Sequence, residues 1–110
     1  IKPNTILLSS VLQYLQDPGK IIDSLIKIGS DIILIDRTIV NSNRVNNIYI
    51  QHVPSKIYSA SYPCYSLSES WLFNRFGKTY DMTEDFTSLD FPALRNINSE
   101  FKGYIFKKMA

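Results

Sequence analysis

Cysteine occurs once in these 110 residues, at Cys64, and histidine once, at His52. A lone cysteine excludes an internal disulfide framework and a multi-cysteine zinc site. One His and one Cys do not make a metal site either. Glycine is scarce, with four in the chain and none in a Gly-x-Gly cluster. Charge of one sign is also missing: 12 Lys and Arg face 10 Asp and Glu, a formal net charge of +2. The basic residues are scattered apart from Lys107-Lys108, so there is no electrostatic footprint for nucleic acid. No apolar run approaches the roughly 18 residues of a membrane span, and nothing reads as a signal peptide. The single cysteine fits a reducing, cytoplasmic setting.

What is present is an ordinary globular composition, 45% hydrophobic and 20% charged, enough to build a core. Thr5 to Leu8 reads as a short buried strand. Asp17 is suited to cap a helix and Pro18 to be its first residue. Ile21, Ile22, Leu25 and Ile26 then form one apolar face, and Gly29 ends the helix. Asp31 to Asp36 is the next strand, and its Ile32-Ile33-Leu34-Ile35 run predicts burial on both faces. Two strands joined by a helix are most simply parallel. Their polar residues gather where the first strand ends, the place where open α/β sheets bind ligands.

The stretch from Arg37 to Leu67 differs. Asn41-Ser42-Asn43 and Asn46-Asn47 mark turns, Ile48 to Val53 alternates weakly and reads as a short strand, and Pro54 to Pro63 reads as a long ordered excursion rich in Ser and Tyr. Ser68 is the expected cap of a second helix, with Leu67 and Leu72 at the positions of a hydrophobic staple and Gly77 as the stop. Lys78 to Phe86 and Phe101 to Lys107 read as two strands close in sequence, hence an antiparallel pair. The expected fold is α/β: a small, mostly parallel sheet with helices and an antiparallel C-terminal hairpin.

The local motifs are Ser9-Ser10-Val11-Leu12-Gln13-Tyr14-Leu15-Gln16-Asp17-Pro18, Ile35-Asp36-Arg37-Thr38, Val53-Pro54-Ser55-Lys56-Ile57-Tyr58 and Ser61-Tyr62-Pro63-Cys64. They resemble a family of methyltransferases known mainly by sequence and often encoded near surface-polysaccharide genes. Tyr65 stands where that family usually has Trp, so an aromatic is kept. The order of elements is similar to the C-terminal half of a class I, Rossmann-like methyltransferase domain dependent on S-adenosylmethionine. The resemblance implies that residues 1–110 are the C-terminal part of such a domain, with strands ordered first, second, fourth, third. It implies that the Gly-rich cofactor loop and the acidic ribose ligand lie N-terminal to this stretch, and that the stretch alone neither binds the cofactor tightly nor turns over.

Each candidate site has two readings. Ser9, Ser10, Gln13 and Tyr14 follow the first strand, and the resemblance sets them beside the methionine part of the cofactor; the plainer reading is a polar loop leading into a helix. Arg37 can hold a carboxylate or phosphate of a substrate in a bidentate fork, or form an internal pair with Asp36. His52 is a candidate general base, or an ordinary surface residue. Tyr58, Tyr62, Cys64 and Tyr65 would form an aromatic lid over a small-molecule or saccharide acceptor, with Tyr62 a second catalytic candidate, or pack the excursion onto the sheet. Cys64 has no neighbouring cation to activate it. Asp81, Glu84, Asp85 and Asp90 read as solvent-facing charges on a sheet edge. The rival to an enzyme is an assembly module, a homodimer joined through Thr5–Leu8 as an exposed edge.

Overall fold

The computed structural model describes residues 4–53, 60–87 and 99–109, side chains excepted at 50–53 and 60–62. Among these residues, six strands and two helices follow in the order β1 (Thr5–Ser9), α1 (Pro18–Ile28), β2 (Ile32–Asn41), β3 (Asn47–Val53), β4 (Ala60–Ser68), α2 (Glu69–Phe76), β5 (Tyr80–Thr87) and β6 (Glu100–Lys108). A 3-10 turn, Leu12–Tyr14, lies between β1 and α1. The fold is mixed α/β.

Local chemistry explains both helices. The Asp17 side chain accepts from the Lys20 N–H at 3.1 Å, Pro18 is the first helical residue, and Gly29 closes α1 in the left-handed region at φ 72°. That conformation costs a residue with a Cβ about 1–2 kcal/mol. Pro18, Ile22, Leu25 and Gly29 are buried along one stripe at helical spacing. Ile21, expected on that face, is 38% exposed, because it lies one residue off the stripe. For α2, Ser68 accepts from the Trp71 N–H at 3.3 Å. Leu67 and Leu72 are both fully buried, as a staple requires. Gly77 ends α2 without a left-handed turn: its φ is −62° and its N–H reaches Asn74 O, tightening the last turn.

The long β2 organises the sheet. Its first half pairs in parallel with β1, Thr5 opposite Ile32 through Ser9 opposite Asp36. Its far end pairs in parallel with β4 at two positions only, Val40 with Leu67 and Asn41 with Ser68. On its other side β2 pairs antiparallel with β6, and β6 pairs antiparallel with β5. The predicted strand order is found as β1–β2–β6–β5.

The expectation of a mostly parallel sheet is corrected. Pairings β2–β6, β5–β6 and β3–β4 are antiparallel, against two parallel ones. Part of the supposed excursion is β4, which folds back on β3. Hydropathy hides this strand because its buried residues include Cys64, Ser66 and Ser68, small side chains that rely on hydrogen bonds rather than apolar bulk. The remainder of the excursion, residues 54–59, lies outside the described residues, as does Asp90. A second correction concerns β1. It is an edge strand with alternating exposure, and Leu7 is 61% exposed. A strand paired on one side with one face uncovered keeps only half its side chains from water.

Both helices pack on one face of the sheet. Ile22, Ile33, Ile35, Leu72, Phe76, Tyr104 and Phe106 form the centre of the core. The Phe76 and Phe106 rings stack with centroids 4.1 Å apart, and Phe73 meets Tyr104 edge-on at 5.4 Å. Each such buried side chain contributes on the order of 1.5–3 kcal/mol by leaving water. No helix among the described residues is long and apolar enough to cross a membrane.

Candidate functional site

β1 and β4 lie along the same side of β2 at different heights, and the chain leaving β1 runs between them. Ser10 turns that chain with φ 57° while its N–H donates to Asp36 O at 3.0 Å. A non-glycine residue at positive φ stores strain of order 1 kcal/mol or more. Opposite it, β2 bulges. Two residues, Asp36 and Arg37, fall between the Ile35–Tyr104 and Thr38–Lys102 pairs of the β6 ladder, and Arg37 has φ 49°. Its N–H donates to the Asp36 carboxylate at 2.8 Å, and the Thr38 hydroxyl donates to Asp36 O at 3.2 Å. Gly103 lies across from this bulge, where a Cβ would run into the Phe86 ring.

Gln13 ties the two strained turns together. It is fully buried, and its Nε2 donates to Ser10 Oγ at 3.1 Å and to Arg37 O at 3.0 Å. The Arg37 carbonyl needs a donor, which fixes the orientation of the amide. The other end, Oε1, is buried with no hydrogen-bond partner among the described residues. Leaving such an acceptor unsatisfied costs about 1–3 kcal/mol.

Beside this knot lies a groove of about 400 Å³, lined by Tyr14, Leu15, Gln16, Ile48, Pro63 and Tyr65. That is within the usual size for a small-molecule site, roughly 300–1,000 Å³. The β3–β4 register sets its far wall by placing Ile48 directly opposite Tyr65. Among the described residues, no charged side chain lines it. The Tyr65 hydroxyl donates to Gln16 O across 3.5 Å, the outer limit of a hydrogen bond.

The predicted residues divide accordingly. Ser9, Ser10, Gln13 and Arg37 meet where β1 ends, since Ser9 is level with Asp36 in the β1–β2 register. Tyr14, 40% exposed, faces the groove. Of the supposed lid, Tyr65 lines the groove. Cys64 does not: it is buried, and burial pushes its thiol up to about 11, so it stays protonated and poorly nucleophilic. His52 and Tyr62 belong to the hairpin ladder, opposite Ser61 and Gln51; their side chains, and the whole of Tyr58, lie outside the described residues. Leu15, Gln16, Ile48 and Pro63 were not legible as site residues. Leu15, Gln16 and Pro63 stood within the sequence motifs and Ile48 within the weakly alternating stretch, but nothing in those signals marked them as lining one groove.

A second polar cluster joins α2 to the sheet. The Tyr104 hydroxyl donates to Glu69 Oε2 at 2.6 Å, and Lys102 Nζ lies 3.4 Å from the same oxygen and 3.1 Å from Asp85 Oδ2. Burial works to lower the Lys102 pKa, but the hydrogen bond to Asp85 and the charges of Glu69 and Asp85 outweigh it and hold the ammonium above its usual range. Asp81, Glu84 and Asp85 are exposed along β5, the sheet's edge. Among the described residues, no group of His, Cys, Asp and Glu could hold a metal ion. No protein family, curated protein or solved structure matches the chain.

Proposed function

We propose that this chain is the C-terminal, substrate-facing portion of a Rossmann-like, S-adenosylmethionine-dependent methyltransferase of the cytoplasm. The observation that carries the reading is the strand order β1–β2–β6–β5, with an antiparallel β6 inserted between β2 and β5. The sequence motifs at the end of β1 and along β4 point the same way. The cofactor supplies an activated methyl group when bound. The residues present suit its methionine end and not its nucleoside: Ser9, Ser10, Gln13 and Tyr14 offer hydroxyls and an amide, and Gln13 Oε1 is an acceptor with no donor among the described residues. No Gly-x-Gly loop is in the sequence to hold the rest.

In this reading the chain's work is alignment rather than acid–base force. The Ser10–Gln13–Arg37 knot fixes the 3-10 turn, and Tyr14 stands between the cofactor end and the groove that receives an acceptor. Arg37, Tyr58 and Tyr62 are the proposed further contacts to the acceptor, and His52 or Tyr62 would take its proton. Titration calorimetry of the full gene product with S-adenosylmethionine tests this. Micromolar binding, weakened by Gln13→Ala, is expected; no binding by the full product sinks the reading.

One observation favours a second reading, assembly through β1. Residues Thr5–Leu8 carry no charge, Leu7 is largely exposed, and the strand pairs only with β2 among the described residues. Such an edge is a template for another chain. Sedimentation would then give a dimer that Leu7→Lys dissociates; a monomer at all concentrations removes this reading.

A further inference from the structure

We infer that the groove between the 3-10 turn and the β3–β4 hairpin is a binding site for an uncharged, ring-shaped molecule bearing a hydroxyl group. Three observations converge on that class. The described lining residues Tyr14, Leu15, Gln16, Ile48, Pro63 and Tyr65 include no charge, so an ionic ligand would lose its hydration against them without gaining an opposite charge. Two phenol rings, a proline and two aliphatic side chains offer flat apolar surface, which suits a ring. The third observation is the most selective. The Tyr65 O–H and the Gln16 carbonyl face each other across 3.5 Å, a long and weak contact.

A hydroxyl group is both donor and acceptor. Placed at that rim, with a small movement of the Tyr65 ring, it accepts from Tyr65 and donates to Gln16 O, giving two good hydrogen bonds in place of one poor one. A carboxylate has no proton for the Gln16 carbonyl, and an ammonium has no lone pair for Tyr65. The site therefore discriminates by protonation pattern as well as by charge. Calling this molecule the methyl acceptor rests on the methyltransferase reading; its binding does not.

The test is a titration of the labelled chain followed by amide chemical shifts, with four probes: phenol, anisole, benzoate and methyl β-glucopyranoside. Phenol is expected to shift the amides of Leu15, Gln16, Ile48 and Tyr65 saturably. Anisole, which lacks the proton, should bind about tenfold more weakly, the loss of one hydrogen bond. Benzoate should leave those amides in place. Tyr65→Phe should bring phenol down to the level of anisole while the rest of the spectrum stays unchanged. Ile48→Lys, at a position 59% exposed and so tolerant of change, should admit benzoate.

A sugar probe tighter than phenol assigns the ring to a saccharide, and the reverse order assigns it to an aromatic alcohol. Equal affinity for phenol and anisole, equal affinity for phenol and benzoate, or shifts confined to another surface would overturn the inference. Phenol binding together with a full gene product that ignores S-adenosylmethionine would keep the site and remove its role as an acceptor site.

Discussion

The four-stranded slab β1–β2–β6–β5 and the β3–β4 hairpin are held in place by different forces. In the slab, β2 is paired along its length and its inner face is sealed by Ile22, Leu72, Phe76 and Phe106, all essentially buried. The hairpin meets β2 at two register positions. Leu67 anchors β4 in the apolar core and Tyr65 packs against it, but the rest of the described attachment is polar: Asn41 Nδ2 donates to Ser66 O at 3.0 Å and Ser66 Oγ at 2.9 Å, the Ser68 N–H donates to Asn46 Oδ1 at 2.7 Å, and the Ser68 hydroxyl donates to Asn43 O at 2.6 Å. Apolar burial is strong and indifferent to direction, whereas hydrogen bonds are weak in net terms and fix orientation. The slab thus carries stability and the hairpin carries the shape of the groove.

The largest effect expected is on the slab. Phe76→Ala removes the ring stacked on Phe106 and should cost about 3–5 kcal/mol in urea denaturation. A hairpin substitution that costs as much, other than at the core residue Leu67, would break the comparison. Asn41→Ala, at the joint, leaves the Ser66 carbonyl and the Asn43 N–H without their side-chain partner. It should cost roughly 1–3 kcal/mol, and hydrogen exchange should quicken in β3 and β4 before it does in β2 and β6. Uniform quickening would mean that hairpin and slab open as one unit.

pH sharpens the contrast within the hairpin. Burial raises the Cys64 pKa from 9.0 to about 11, so the folded state disfavours the thiolate. A raised folded pKa contributes stability that is complete below pH 9 and is lost as pH climbs toward 11. The urea midpoint should therefore fall between pH 8 and pH 10.5 more steeply for the native chain than for Cys64→Ala. Equal slopes would show Cys64 to be hydrated. Smaller again is Asp17→Ala, which removes the α1 cap and should cost about 1 kcal/mol without altering hairpin exchange. Smallest is Arg75→Ala. Its pair with Asp23 is short, at 2.7 Å, but both side chains are well exposed, and such pairs contribute about 0–1 kcal/mol.

Legibility followed the same division. The slab was readable because its signals are local or periodic: Asp17-Pro18 and Gly29 bracket α1, Ser68 with Leu67 and Leu72 opens α2, and apolar runs mark β2 and β6. Its order along the sheet was not legible in the strands themselves; only the family resemblance implied it. The two edges of that slab differ in ways the sequence also displays. β5 carries Asp81, Glu84 and Asp85, which guard an edge against pairing, while β1 carries none. Of the hairpin, β3 was readable from the weak alternation of Ile48 to Val53, which the structure bears out; β4 was not, because Ser66 looks like a loop residue and Ser68 only like a helix cap until Asn41, Asn43 and Asn46 come to meet them. Those asparagines were read as turn markers, and their second task depends on contacts more than 20 residues away.

For the candidate site, sequence alone determined where to look: a cluster of hydroxyls, an amide and a tyrosine at the end of the first strand, because ligand sites in open sheets collect there. Tertiary structure alone decided what that cluster is. It folded Gln13 inward to join Ser10 to the Arg37 carbonyl, left Oε1 without a partner among the described residues, and brought Ile48, Pro63 and Tyr65 to face Tyr14 as a groove. The physical reason is range. Caps, stops and hydrophobic periodicity act within a turn or two of the chain, whereas a bulge register, a buried amide and an uncharged cleft are set by strands that meet only when the sheet closes.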